Sequence, residues 1–251
     1  MVTLSADKHV GFRNVDLVVD IGNSRTCAVL FEEGNFKQMS PLELQDFTRP
    51  FANGKLNKYT DSFDMRLALR EVSFGGDLIK GSSQFTFPSF VRLGKEANDL
   101  IHAAVKQNSS DDKTSTFSSP KRYLWDNAPQ QKEWEYVTLA GEVSKPIWIK
   151  GISEQLNEDG SLDTNGNGGV VSCYSRKSLM TFSFLEIISQ AFMQINSYEQ
   201  RVHWGDINIA RKISRIIITC PTAMSRIEQI ALRKCAEDAV ILAERFYKIS
   251  N

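Results

Sequence analysis

The stretch from Asp16 to Leu30 constrains the fold of this chain more than any other. Two apolar runs, Leu17 to Ile21 and Cys27 to Phe31, flank a polar segment that opens at Gly22, and short runs rich in Val and Ile read as buried strands. Together they predict a β-hairpin. Its turn carries Asn23, Ser24, Arg25 and Thr26, and Asp20 lies near the end of the first strand. Such a turn suits a phosphate, because Gly22 lets backbone approach a ligand, successive amides form an anion-binding nest, and the Ser24 and Thr26 hydroxyls can donate to oxygens. Arg25 can pair with a phosphate or equally with a neighbouring carboxylate. Asp20 would be repelled by a phosphate, so its expected part is to hold Mg²⁺ through the ion's retained waters. Asn, Ser and Gly are also ordinary turn residues, and a hairpin with no ligand explains the same letters.

A length of 251 residues allows one large domain or two small ones. The formal net charge is +0, which gives no electrostatic case for nucleic acid or an anionic membrane surface as partner. The N-terminal residues include Asp7, Lys8 and Arg13 and no long apolar run, so no signal peptide or membrane insertion is expected and a cytoplasmic location fits. Cys27, Cys173, Cys220 and Cys235 show no C-x-x-C spacing and are expected to be reduced. His9, His102 and His203 stand apart from one another and from any cysteine pair, which argues against a metal cluster or a Cys–His nucleophile.

Residues 1–14 are polar and aperiodic and read as a short arm. Alternation at Leu42 to Leu44 and Met65 to Leu69 predicts short antiparallel strands, and Gln84 to Leu93 alternates around Pro88, which marks an edge position. Gly94 opens a predicted helix through Lys106. Residues 107–119 are dominated by Ser, Asp, Thr and Asn and read as a loop, ending at the abrupt aromatic turn of Ser119 to Trp125. Strands are expected at Glu135 to Leu139 and Pro146 to Lys150. A second polar insert, Asn157 to Gly169, contains an Asp-x-Asn-x-Asn fragment at Asp163, Asn165 and Asn167, but no glutamate follows at the distance a calcium loop needs. Trp125, Trp134 and Trp148 suit core or interface positions better than a base-stacking platform. Further on, Leu179, Phe182, Leu185, Ile188, Ala191, Phe192 and Ile195 form an apolar stripe at helical spacing, expected to span Ser178 to Tyr198. Ile213 to Cys220 reads as a strand closed by Pro221, and Ser225 with Glu228 forms a capping-box pair that opens a long helix. A hairpin-led mixed sheet with late helices indicates an α/β or α+β class.

The order of these motifs resembles the first half of the nucleotide-binding domain shared by actin, sugar kinases and the DnaK-type heat-shock chaperones. Asp20-Ile21-Gly22-Asn23-Ser24-Arg25-Thr26 resembles that superfamily's first phosphate loop. Phe87-Pro88-Ser89-Phe90-Val91 is similar to the chaperones' Thr-Pro-Ser-x-Val strand, and Gly94-Lys95-Glu96-Ala97 to their Gly-x-x-Ala helix start. Pro120-Lys121-Arg122-Tyr123-Leu124 resembles their Lys-Arg-Leu-Ile segment, and Ile218-Thr219-Cys220-Pro221 their Val-Thr-Val-Pro strand. Within the superfamily, Ser119 to Asp126 together with Ile218 to Met224 looks most like the SrfB-type bacterial proteins, named as virulence factors, over roughly residues 15–245.

The resemblance implies an α/β fold: the N-terminal lobe of an actin-like, ribonuclease H-like ATPase with a mixed sheet. Residues 15–80 and 175–251 would form the core of that lobe and residues 81–174 a smaller inserted subdomain. It implies ATP and Mg²⁺ as cofactors, with Gly22, Asn23, Ser24, Arg25 and Thr26 on the phosphates, Asp20 on the metal ion, and Lys121 reaching the γ-phosphate as a charge-stabilising catalytic group. Asn23 and Arg25 depart from the chaperone loop. The second phosphate loop, Asp-x-Gly with its threonines, and the Gly-Gly adenosine motif are absent, so the expected unit is one lobe that needs a second. The first loop also resembles that of type III pantothenate kinases, whose other motifs are missing. A competing reading from another class is an interaction module that keeps the lobe for contacts with another protein.

Overall fold

A computed structural model of the chain describes residues 11–34, 39–47, 57–70, 87–107, 115–130, 134–137, 143–144, 156–163 and 174–249. The first strands are β1 (Arg13–Ile21), β2 (Arg25–Glu32), β3 (Met39–Pro41), β4 (Leu44–Gln45), β5 (Lys58–Tyr59), β6 (Phe63–Asp64) and β7 (Arg66–Leu69). There follow β8 (Val91–Leu93), helix α1 (Gly94–Gln107), β9 (Thr116–Ser118), a 3₁₀ turn (Pro120–Tyr123), β10 (Tyr136–Val137) and β11 (Val143–Ser144). The last part holds α2 (Ser178–Asn196), α3 (Tyr198–Trp204), β12 (Arg211–Thr219) and α4 (Arg226–Ile249). The fold is mixed α/β, with four α-helices among the described residues.

The main sheet runs in the order β12-β1-β2-β3, and β6 also pairs with β2. The expected hairpin is present: Val15 to Ile21 pair antiparallel with Glu32 to Thr26. β12 adds parallel to β1, with Asp20 beside Thr219, so the sheet is mixed. Alternation decides its faces. Val15, Leu17, Val19 and Ile21 are buried, Asp16 and Val18 are half-buried and Asp20 is exposed, as a period of two requires. A second sheet, β8-β7-β9, joins Arg66–Leu69 to Val91–Leu93 and Thr116–Ser118.

α2 is the centre of the core. The apolar stripe read from sequence lies on it, but every residue except Phe192 is buried, so α2 is enclosed on all sides rather than half exposed. Apart from the Thr181 hydroxyl, which has no hydrogen-bond partner among the described residues, its polar side chains find partners within the core: Ser183 and Ser189 donate to the carbonyls four residues back, at 2.7 and 2.6 Å. Gln190 donates to Gln45 O at 3.2 Å and Gln194 to Pro41 O at 2.9 Å, which ties the helix to the strands beside it. Glu186 accepts from the fully buried Arg92 at 2.8 Å.

Other expectations shift by a few residues. β1 starts at Arg13, inside the stretch read as an arm. Thr116–Ser118, read as loop, pairs with Arg66–Ala68. The helix expected through Tyr198 breaks at Ser197, whose hydroxyl caps α3 by accepting from Gln200 N at 3.2 Å. In the segment expected to alternate around Pro88, Val91–Leu93 is the strand among the described residues, and residues 84–86 lie outside them. So do Pro146 to Lys150, Asn165 and Asn167.

Candidate functional site

The C-terminal ends of the parallel pair β1 and β12 carry the residues singled out from sequence. In open α/β sheets this is the end at which ligands bind. The hairpin turn closes by a bond from Gly22 N–H to Arg25 O at 2.9 Å. A Cβ at Gly22 would lie 2.4 Å from that carbonyl oxygen, so the turn admits only glycine there. Asn23, Ser24 and Arg25 are exposed at its tip. The turn is tethered from the side, where Ser24 O accepts from Met65 N at 2.8 Å and Arg25 Nε lies 3.5 Å from Asp64 Oδ1.

Asp20 is exposed on the sheet face opposite the core, and its Oδ1 accepts from Thr219 Oγ1 at 2.5 Å. Thr26 points the other way. It is buried, and its hydroxyl has no hydrogen-bond partner among the described residues.

Lys121 arrives from outside the sheet. It is buried, and its ammonium donates to Ile21 O, the carbonyl next to Asp20, at 2.7 Å. Among the described residues no carboxylate lies within ion-pair distance of it. The 3₁₀ turn that carries it is entered through Ser119, which takes left-handed φ 52 and ψ 55, an uncommon conformation for a residue with a side chain. Ser119 N is fixed to Met65 O at 2.8 Å, so one segment, Phe63 to Met65, braces both the hairpin tip and the lysine turn. Asp20 and Lys121 are thus brought to consecutive residues of one strand end.

The N-terminus of α4 completes the surroundings. Ser225 and Glu228 form the expected capping box: Ser225 Oγ and N donate to Glu228 Oε2 at 2.8 and 3.0 Å, and Glu228 N donates to Ser225 Oγ at 3.3 Å. The Ser225 hydroxyl and amide hold the Glu228 carboxyl below its ordinary range, and the charge of Lys121 adds to that pull. Lys121 therefore lies within electrostatic reach of the start of α4.

A family model described as Virulence factor SrfB matches residues 1–249. The chain belongs to the SrfB virulence factor family. No curated protein matches it.

In this SrfB-family chain no helix among the described residues is long and apolar enough to cross a membrane, and no group of three or more His, Cys, Asp or Glu there could hold a metal ion by itself. Mg²⁺ does not ask for such a cage; it keeps several waters and takes one or two carboxylates together with phosphate oxygens. Asp20 fits that habit, being exposed and oriented by one hydroxyl. Sequence reasoning missed Thr219 and Asp64 as partners of Asp20 and Arg25. Thr219 lay inside a quoted motif, but only the parallel register of β12 on β1 places it beside Asp20.

Proposed function

We propose that this chain is the first, phosphate-holding lobe of an actin-like, DnaK-type ATPase that binds MgATP between itself and a second lobe. The observation that carries the reading is the bond from Lys121 to Ile21 O, which sets a buried ammonium, without a carboxylate partner among the described residues, at the mouth of the hairpin, one residue from Asp20. Supporting it are the glycine-only turn, the strained entry through Ser119 and the parallel strand ends beneath the site.

Asp20 would hold the magnesium ion, oriented by Thr219; Ser24, Asn23 and the turn amides would contact phosphate oxygens. The ion, when bound, supplies neutralisation of phosphate charge. Lys121 would lend positive charge to the outermost phosphate. Thr26 would serve from beneath the turn rather than at its surface, and Arg25 would have to exchange Asp64 for a phosphate. Unit charges about 4 Å apart attract by ~4 kcal/mol at an effective dielectric of 20 and ~1 kcal/mol in water, so with Asp20, Asn23 and Ser24 exposed the lobe alone should bind weakly and turn over negligibly.

Thermal shift of the 251-residue chain against MgATP, Mg²⁺-free ATP and AMP tests this. The expected result is a small, saturable stabilisation specific to MgATP that Asp20→Asn and Lys121→Met each abolish. Equal responses in all three proteins, or fast turnover by the chain on its own that Asp20→Ala removes, would contradict the reading. No response with an intact fold would favour the interaction module, for which the apolar groove beside β12 is the supporting observation.

A further inference from the structure

Outside the strand pairings, the hairpin tip is held by bonds of two kinds. Backbone holds it through Gly22 N–H to Arg25 O at 2.9 Å and Met65 N–H to Ser24 O at 2.8 Å. The other hold is between side chains, Arg25 Nε with Asp64 Oδ1 at 3.5 Å. That pair is the exchangeable one. The Arg25 side chain is 67% exposed, so its guanidinium can swing away without disturbing either backbone bond.

Asp64 is placed more firmly. It lies in β6 in register with Arg25 itself, and its second oxygen, Oδ2, accepts from Asn98 Nδ2 of α1 at 3.0 Å. α1 is fixed against the same strand: its first residue, Gly94, has φ 62, and a Cβ there would lie 2.8 Å from Phe63 Cβ, so helix and strand meet at a contact that only glycine allows. Each oxygen of Asp64 thus has its own partner, a mobile guanidinium on one and an anchored amide on the other. When Arg25 leaves, the carboxylate keeps Asn98 and its place in β6, and with its side chain 45% exposed it meets water. The departure therefore strands no buried charge.

We propose that Asp64 is a resident counter-anion for Arg25: it occupies the guanidinium while the turn is empty and yields it to a phosphate oxygen of the incoming ligand. The proposal rests on the reading of the turn as a phosphate loop and names the residue that tunes it. Carboxylate and phosphate both match the planar fork of a guanidinium, so the exchange is like for like. Asp64 is a positioning residue that acts through Arg25, and its position has a cost in affinity, because every ligand that takes Arg25 must first displace it. Removing the carboxylate should tighten phosphate binding by about two- to fivefold, the equivalent of an exposed ion pair of up to ~1 kcal/mol. A carboxylate that only braced the tip would give the opposite sign.

The test titrates the full chain, Asp64→Asn, Arg25→Gln and the double variant with MgATP and with magnesium tripolyphosphate at low salt, reading Kd from the rise of Tm with ligand concentration. Asparagine keeps an acceptor for Asn98 and carries no charge. The expected result is a two- to fivefold lower Kd for Asp64→Asn with both ligands, a higher Kd for Arg25→Gln, and at most half the Asp64→Asn gain once Arg25 is gone. Unchanged or weaker binding by Asp64→Asn would overturn the proposal. So would an equal gain with and without Arg25, the mark of simple repulsion between Asp64 and phosphate. Either of those results leaves the phosphate loop standing. Absence of any stabilisation of the parent that Asp20→Asn removes, with both ligands, would instead overturn the phosphate loop itself and this proposal with it.

Discussion

Replacing Glu96 with glutamine should remove part of the loss of stability that this protein suffers between mildly acidic and mildly alkaline pH. Glu96 is buried on the first turn of α1, accepts from Phe47 N at 3.0 Å and lies 3.8 Å from Arg92. Arg92 already donates to Glu186 at 2.8 Å, so two buried carboxyls share one guanidinium. Burial pushes the Glu96 carboxyl up to about 8; Arg92 opposes the rise, while Asp46 and Glu186 add to it. The folded value lies above the unfolded value of 4.5, so from pH 4.5 to about 8 the folded protein binds more protons than the unfolded chain, and stability falls as pH rises. Each unit of separation corresponds to ~1.4 kcal/mol. The full window would thus cost ~5 kcal/mol, a ceiling that relaxation around Arg92 lowers. A loss on the order of 2 kcal/mol between pH 5 and pH 8 is expected, which for a chain of this size lowers Tm by roughly 4–8 °C. Glutamine keeps the acceptor for Phe47 and carries no charge. Urea unfolding of both proteins at pH 5, 6.5 and 8 should show a falling line for the parent and a shallower one for Glu96→Gln, in which Glu186 still titrates, with the variant the more stable at pH 8. Glu186, whose carboxyl is also raised by burial, costs stability in the same direction as pH rises, whereas the lowered carboxyls of Asp16, Asp159 and Glu228 add stability that is lost only as pH falls through and below the ordinary carboxylate range. An unchanged slope, or a variant weaker than the parent at pH 8, would refute the assignment.

Arg211→Met should destabilise by about 3–5 kcal/mol in urea unfolding, because it leaves the buried Glu32 with the half-exposed Arg13, 3.9 Å away, as its remaining cationic partner among the described residues. Arg211 Nε donates to Glu32 Oε1 at 2.9 Å and its other nitrogens to the carbonyls of Gly205, Asp206 and Ile209; adding Glu32→Gln should restore part of the loss. Gly22→Ala places a carbon 2.4 Å from Arg25 O and should cost about 1–3 kcal/mol, together with any response to MgATP. An unchanged midpoint would show that the turn relaxes freely.

Local signals carried much of this fold. The hairpin was legible because two apolar runs, Leu17 to Ile21 and Cys27 to Phe31, flank the polar segment that opens at Gly22, and the start of α4 because Ser225 and Glu228 stand at capping-box spacing. What pairs with what was not legible. Asp20 and Thr219 are 199 positions apart, and Lys121 and Ile21 are 100 apart, so no window of sequence contains both members. α2 misled for the same reason. Its Ser, Glu and Gln residues mark a solvent face when read alone, and only Arg92 and the carbonyls of Pro41 and Gln45 make them core. Thr116 to Ser118 looked like loop by composition, and pairing with β7 overrode that preference.

β1 is fastened very differently at its two ends. At its start, Glu32 and Arg211 on the flanking strands are buried, and Asn196 locks the Arg211 backbone with two bonds of 3.0 Å. At its finish, Asp20, Asn23, Ser24 and Arg25 are exposed and, beside the backbone bond from Met65 N to Ser24 O, the side-chain fastenings are single: one hydroxyl on Asp20, one ammonium on Ile21 O, one exposed ion pair on Arg25. Buried charge pairs cost several kcal/mol to break, whereas exposed ones contribute about 0–1 kcal/mol. The hairpin tip is therefore the end of β1 that opens first. A ligand bridging Asp20, the turn amides and Lys121 would join these separate fastenings into one connected network, so its binding should slow exchange at the tip while the already locked start of the strand is unchanged.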